Sequence, residues 1–326
     1  MKPFARVCAA AFVAAISVAL SLGAQAQDFP SKPIRIVVPY VPGGNIDITA
    51  RTLAPGLGEA LGQTIIVDNR AGAGGLIGST YAAKAAPDGY TLLLGSTGTV
   101  TLAPAVFKTV PYDAAKDLVP IGAIQAVPLL ITVAPKVPVN SFKEFLAYTK
   151  SKGSPVTMAT AGVGTTNHLA LEMLKHDAKI AVTHVPYKGS GAAFTDLLGS
   201  QIDSMMDQLS ASIEYVRSGR LRAIAITSLK RSPQLPNVPT LDELGLPGFN
   251  ATTFTGLFAP AATPSAVIEK LQGALKKVLT TESVRERYRT MGVEMMNMTP
   301  AEFAAFVRTD AERWLKAARQ ANIVLQ

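Results

Sequence analysis

Two stretches of this 326-residue chain place glycines and small polar residues where an apolar strand pattern gives way to a helical one. The first runs Val38-Pro39-Tyr40-Val41-Pro42-Gly43-Gly44-Asn45-Ile46-Asp47. Gly43 and Gly44 let the backbone approach a ligand closely. The free N–H groups of a helix start, aided by its dipole, suit an anion. Asn45 or Asp47 can instead cap the helix, but a pair of glycines exceeds what a cap requires. Ligand contact is therefore expected at Tyr40, Gly43, Gly44, Asn45 and Asp47. The second stretch, Ala161-Gly162-Val163-Gly164-Thr165-Thr166-Asn167-His168, repeats the design after the apolar run Val156–Thr160. Gly164 gives backbone access, Thr165, Thr166 and Asn167 add hydroxyl and amide donors, and His168 either touches ligand or caps its helix. Open α/β sheets bind ligands beyond the carboxyl ends of their strands, where both loops would lie. A small molecule carrying one or two carboxylates would fit between them.

Other residues carry less specific chemistry. Asp203 and Asp207 bracket a strand end. Asp207 either accepts a ligand amine or hydroxyl, or caps a turn or helix. Asn69-Arg70-Ala71-Gly72-Ala73-Gly74-Gly75-Leu76-Ile77-Gly78 follows a strand, but its glycines read G-x-G-x-x-x-G and miss the dinucleotide fingerprint by one residue. Close packing or lining of a cleft is the expectation there. His168, His176 and His184 recur every eight residues, which matches no metal-ligand spacing, so no metal is expected. The sequence contains no G-x-S-x-G elbow, no H-E-x-x-H and no Walker loop. No catalytic residue and no cofactor is assigned.

The elements that must position these loops alternate between β-branched runs and helical patterns. Strands are expected at Ile34–Pro39, Thr64–Val67, Thr91–Leu94, Val156–Thr160, Val182–Val185, Ile202–Met206 and Ala223–Thr227. Helical stretches lie between them, including Ser141–Lys150, where Ser141 and Glu144 form a capping box. Near-continuous apolar strands separated by helices mean an α/β fold with parallel sheets covered on both faces. Toward the end, Thr263-Pro264 and Thr299-Pro300 each signal a helix start. Trp314 falls on the apolar stripe of the last helix, as a packing residue. Two longer extended runs, Ile121–Ala134 and Thr253–Ala259, imply that the chain crosses twice between lobes, a two-strand hinge that permits closure around a ligand.

Lys2 and Arg6, the apolar run Val7 to Leu22 and the small residues of Ala24-Gln25-Ala26 make residues 1–26 a secretory signal peptide. That run is shorter than a bilayer span, and no later segment reaches one without Pro, Gly or charge, so a soluble periplasmic protein is expected. The single cysteine, Cys8, lies in the leader, which removes thiol catalysis, thiolate metal sites and disulfides from the secreted chain. With 48% apolar and 17% charged residues the chain is globular, and its length suggests two domains. Removing Lys2 and Arg6 lowers the formal net charge from +8 to +6. The basic residues are scattered and lack interleaved aromatics, which argues against nucleic acid and for small anions.

Taken together, these blocks resemble the Bug-type solute receptors of tripartite tricarboxylate transporters. The resemblance spans the whole chain after the leader. It is carried by Pro33 through Pro39, Pro42-Gly43-Gly44 with Asp47, Asn69-Arg70 through Gly78, and Pro87-Asp88-Gly89-Tyr90-Thr91. Pro111-Tyr112-Asp113, His184-Val185-Pro186-Tyr187-Lys188-Gly189, Arg231-Ser232-Pro233 and Ala259-Pro260 extend it. It implies a bilobed periplasmic-binding-protein fold of type II. Residues 27–126 and 252–326 would form one discontinuous lobe and 127–251 the other, joined by the two-strand hinge. It also implies a monomeric, non-catalytic receptor that captures a small carboxylate and delivers it to integral membrane transporter subunits. By match, Gly43, Gly44, Asn45 and Asp47 with Gly164, Thr165, Thr166, Asn167 and His168 hold the carboxylate, and Asp207 lies near the ligand's distal end. This chain departs from the pattern at Asn45 and Ile46, where relatives commonly carry Ser and Thr, and at Leu102-Ala103-Pro104. It departs again at Pro55, which is expected to kink its helix. The alternatives from other classes are a secreted α/β enzyme acting on a carboxylated molecule and a receptor that serves sensing.

Overall fold

The structure is a computed structural model that describes residues 29–320, so the expected leader and Cys8 lie outside the described residues. β1 (Ile34–Val38) is an almost fully buried β-branched run. The chain continues through α1 (Asn45–Leu61), β2 (Ile65–Asn69), α2 (Leu76–Ala83) and β3 (Thr91–Ser96). A π-helical turn, Thr97–Leu102, leads into the short helices α3 (Ala103–Val106) and α4 (Ala114–Asp117), then β4 (Leu118–Val133). Next come α5 (Phe142–Ser151), β5 (Val156–Thr160), α6 (Thr166–Ala178), β6 (Val182–Pro186), α7 (Ser190–Leu198), β7 (Ser204–Gln208), α8 (Leu209–Arg217) and β8 (Arg222–Ile226). The chain closes with β9 (Thr252–Pro260), α9 (Ser265–Leu279), α10 (Glu282–Thr290), β10 (Glu294–Met295) and α11 (Pro300–Gln320).

β4 organises the sheet. Its first part, Leu118 to Pro128, runs antiparallel to β9, with register shifts between Pro120 and Gly122 and between Ala123 and Gln125. The first of these shifts sits at Pro120, which cannot donate to a ladder. From Leu129 to Val133 the same strand pairs with β7 and β8 instead, again antiparallel. On the β9 side, β3, β1 and β2 continue outward, and on the β7 side, β5 and β6. Only the pairs β1–β2, β1–β3, β5–β6 and β5–β7 are parallel among the described strands. The all-parallel expectation therefore fails at β3–β9, β9–β4 and β4–β7, because the two long strands return in opposite directions through the middle of the sheet.

One buried cluster gathers Ile34, Ile36, Leu53, Leu92, Leu257 and Leu271, and a second gathers Leu129, Ile131, Phe145, Met158, Leu171 and Met205. Trp314 is a packing residue, 1% exposed within the second cluster. Local starts deviate in detail. Ser141 Oγ accepts from Glu144 N, but the Glu144 carboxylate takes Asn140 N rather than closing the box on Ser141. Thr299 and Glu302 do make the reciprocal box. Thr263 is not the cap of α9; its hydroxyl donates to Pro260 O and the helix begins at Ser265 after Pro264. β7 starts two residues later than expected, since Asp203 is drawn into a turn by Lys152 and Thr157. α1 runs through Pro55 as one helix, although Pro55 has no N–H to give the carbonyl of Arg51.

Candidate functional site

The loop after β1 is fixed from beneath. Asp47 accepts from Gly43 N at 2.9 Å, from Arg51 Nε at 3.0 Å and from Asn69 Nδ2 at 3.0 Å. Asn69, at the end of β2, also donates to Tyr40 O. Burial alone would raise the Asp47 carboxyl, but these donors hold it below its ordinary range. Asp47 thus shapes the loop from below while Tyr40 and Asn45 face inward. Tyr40 meets Ser96 Oγ at 3.2 Å, and burial pushes its hydroxyl up to about 12, so it stays neutral.

The loop after β5 is built similarly. The Thr165 hydroxyl donates to Gly162 O at 2.7 Å and accepts from His168 N, capping α6. Gly164 N donates to His168 Nδ1 at 3.3 Å. Asn167 Nδ2 reaches Asp207 Oδ1 at 2.6 Å, and Asn167 Oδ1 accepts from Gln208 Nε2 at 2.8 Å. Asp207 is buried beneath this amide and its Oδ2 has no hydrogen-bond partner. Burial pushes its carboxyl up to about 6, and the neighbouring Ser190 hydroxyl, Gln208 N and Asn167 amide limit the rise, although only Asn167 makes a hydrogen bond of good geometry to it. Asp207 does not cap α8, which starts after Gln208.

A cavity of about 510 Å³ separates the two loops. Of the residues singled out from sequence, Tyr40, Asn45, Thr165, Thr166 and Asn167 line it, whereas Gly43, Gly44, Asp47, Gly164, His168 and Asp207 are not among its lining residues. The glycine run Gly72, Gly74 and Gly75 both packs closely and lines the cavity. Gly74 has φ +63, and a Cβ there would fall 2.7 Å from Val163 O of the opposite loop. Ser96, Tyr187, Lys188, Gly189, Ser190, Gln208 and Thr253 complete much of the wall and were not assigned a role from sequence. A signal existed for Gly189-Ser190, a third strand–glycine–helix junction between β6 and α7. Gln208 and Thr253 depend on strand register and carry no local mark.

The N-terminal ends of α1, α2, α6 and α7 all border this cavity. Their first-turn N–H groups have no acceptor inside their own helices, and each helix end carries a partial positive charge. Among the described residues, Lys188 is the one formally charged group in the lining, and no Asp or Glu lines the wall. The arrangement favours an anion with an apolar body, since the rest of the wall is largely Pro, Val, Ala and Gly.

The structure also brings His168, Glu172 and His184 together, with one ligand atom from each within 4.8 Å, which the eight-residue spacing did not suggest. The two imidazoles stack at 4.2 Å, and His184 Nε2 meets Thr160 Oγ1 at 2.7 Å. Because His168 Nδ1 accepts from Gly164 N, a neutral His168 carries its proton on Nε2. Burial lowers both imidazoles, His184 to about 4. The hydrogen bonding therefore fits a neutral stacked pair behind the loop.

The profile described as tripartite tricarboxylate transporter family receptor matches residues 49–323. The chain is 36% identical over 316 residues to Protein BugT of Bordetella pertussis, covering 97% of this chain and 96% of that one. Among solved structures it is similar to periplasmic binding protein BugD, with 37% identity and a TM-score of 0.87 over 91% of this chain and 100% of the other. Rpa4515 of R. palustris, solved with adipate, gives 33% identity and a TM-score of 0.88 over 91% and 100%. MatC of Rhodopseudomonas palustris, solved with bound malate, gives 34% and 0.84 over 89% and 99%. With a profile matching most of its length and relatives of this kind covering nearly all of it, the chain belongs to the receptor family of the tripartite tricarboxylate transporters, and is a binding protein rather than an enzyme.

Proposed function

We propose that this chain is a periplasmic receptor that closes two lobes on a small carboxylate and delivers it to integral membrane transporter subunits, acting as a monomer. Residues 27–126 and 252–326 form one lobe and 127–251 the other, a division supported by the change of β4 partners near Pro128. β4 and β9 are the two hinge strands. Residues 1–26 direct export. Among the described residues no helix is long and apolar enough to cross a membrane, in keeping with a protein that meets its transporter from outside the bilayer.

The observation that carries this reading is the cavity wall itself: four helix starts, one lysine and no carboxylate among the described residues, drawn from both sides of β4. Tyr40, Asn45, Thr165 and Thr166 face the ligand. Asn167, which also lines the cavity, joins them, and Gly43, Gly44, Asp47, Gly164, His168 and Asp207 shape the two loops. The adipate and malate bound by two relatives make dicarboxylates of four to six carbons the first class to try. A thermal-shift screen over mono-, di- and tricarboxylates, with amino acids and neutral sugars as controls, tests the proposal. A ligand at 100 times its Kd stabilises by about 2.7 kcal/mol. Stabilisation by acids and not by neutral sugars is the expected result, and stabilisation by sugars alone would overturn it.

A further inference from the structure

Asn45 is 4% exposed, yet it lines the cavity and its Nδ2 has no hydrogen-bond partner. An unpaired buried amide donor is costly, and such groups normally meet a partner, a water or a ligand. A chain of hydrogen bonds fixes which way this amide faces. Within α1, the Thr49 hydroxyl donates to Asn45 O at 2.8 Å, so its oxygen is left to accept. Gln125 Nε2, from β4, donates to that oxygen at 2.7 Å. This places the nitrogen end of Gln125 beside Asn45, where it also donates to Asn45 Oδ1 at 3.0 Å. Ser210 Oγ, at the start of α8, donates to the same Oδ1 at 2.8 Å. With Oδ1 held by donors from both β4 and α8, Nδ2 is the end left without a partner.

We propose that Asn45 Nδ2 is a specificity-determining donor that requires an acceptor oxygen on the ligand, and that Gln125 is the positioning residue that aims it. An anionic or carbonyl oxygen satisfies this group, whereas an ammonium placed there presents a donor to a donor. Gln125 is fully buried and does not line the cavity, so it reaches a ligand only through the residues it holds, of which Asn45 lines the cavity and Thr49 and Thr255 do not. This inference rests on the carboxylate-receptor reading.

The test is a double-mutant cycle on the full mature chain, with calorimetric titration of adipate, L-malate and succinate. Asn45→Ala is expected to weaken the tightest of the three about tenfold or more, as for a lost hydrogen bond to a charged group. Gln125→Met is expected to cost less, about three- to tenfold, and to add nothing in the Asn45→Ala background. In ¹⁵N-labelled wild type, the Asn45 side-chain amide signal, assigned by its loss in Asn45→Ala, is expected to shift on ligand addition. An Asn45→Ala affinity within twofold of wild type, or a Gln125→Met loss that adds fully to it, would overturn the assignment. Should Gln125→Met fail to fold, Asn45→Ala and the amide signal decide alone. If the wild type binds none of the three acids, the dicarboxylate class fails and this inference with it, while the wider acid screen decides the carboxylate reading; if it binds and the variants do not differ, only the inference fails.

Discussion

Replacing Asp207 by asparagine should make the protein more stable at neutral pH while leaving it nearly unchanged in acid. Asp207 is 1% exposed, one of its oxygens lacks a partner, and burial pushes its carboxyl from 3.8 up to about 6. A raised carboxyl favours the folded state fully below its unfolded value, and that advantage is lost as pH rises from 3.8 through 6. At pH 7.5 the ionised folded form therefore carries a cost of about 3 kcal/mol relative to acid. The substituted amide never ionises. Its oxygen can still accept from Asn167 Nδ2, and its nitrogen replaces an oxygen that was already without a partner. The difference between Asp207→Asn and wild type should thus be small at pH 4 and grow to about 3 kcal/mol by pH 7.5. At about 2 °C per kcal/mol for a chain of this size, that is a gain of roughly 6 °C in Tm. Thermal unfolding of both proteins from pH 4 to pH 8 measures it. Two curves that stay parallel across that range would refute the argument that burial strains this carboxylate.

Gly189 has φ +114, and a Cβ there would collide with Val41 Cγ2 of the opposing loop. Gly189→Ala should weaken acid binding about tenfold or more, with about 1–3 kcal/mol of backbone strain besides; titration calorimetry against wild type reads the first and unfolding the second. Thr165→Ala removes the α6 cap and the bond to Gly162 O, and should cost about 1 kcal/mol of stability together with measurable affinity. Asp47→Ala releases Gly43 N, Arg51 and Asn69, and should destabilise by about 2 kcal/mol at pH 7. Because those donors hold Asp47 below its ordinary 3.8, its contribution is present above that value and fades below it. The gap between wild type and Asp47→Ala should therefore narrow as pH falls toward 3.

The strands read well from sequence because most of them are largely buried β-branched runs, β6 being the more exposed edge; β5 spans Val156–Thr160 as expected, and the ends of β1, β6 and β8 differ by a residue. The two glycine loops were legible as helix starts after strands, which is a local property. What the sequence did not disclose is nonlocal. The reversal of direction at β9 and β4 depends on which edges pair, and a β-branched run looks alike in either direction. Asp47 and Asp207 look like ligand contacts in a motif but are not among the cavity-lining residues, and nothing in the motif marks their pairing with Arg51 and with Asn167, which does line the cavity. Gln125 sits in an apolar strand 80 residues from Asn45, and only the β4 register brings them together.

The central claim is that an acid lies between loops contributed from both sides of β4. A crystal structure of the protein with the acid that stabilises it most in the screen tests that claim directly. The account predicts a carboxylate inside the 510 Å³ cavity, within hydrogen-bond distance of the Asn45 end and of the Thr165–Thr166 helix start together. An acid bound on the outer surface, or touching one loop while the other stays remote from it, would contradict the account.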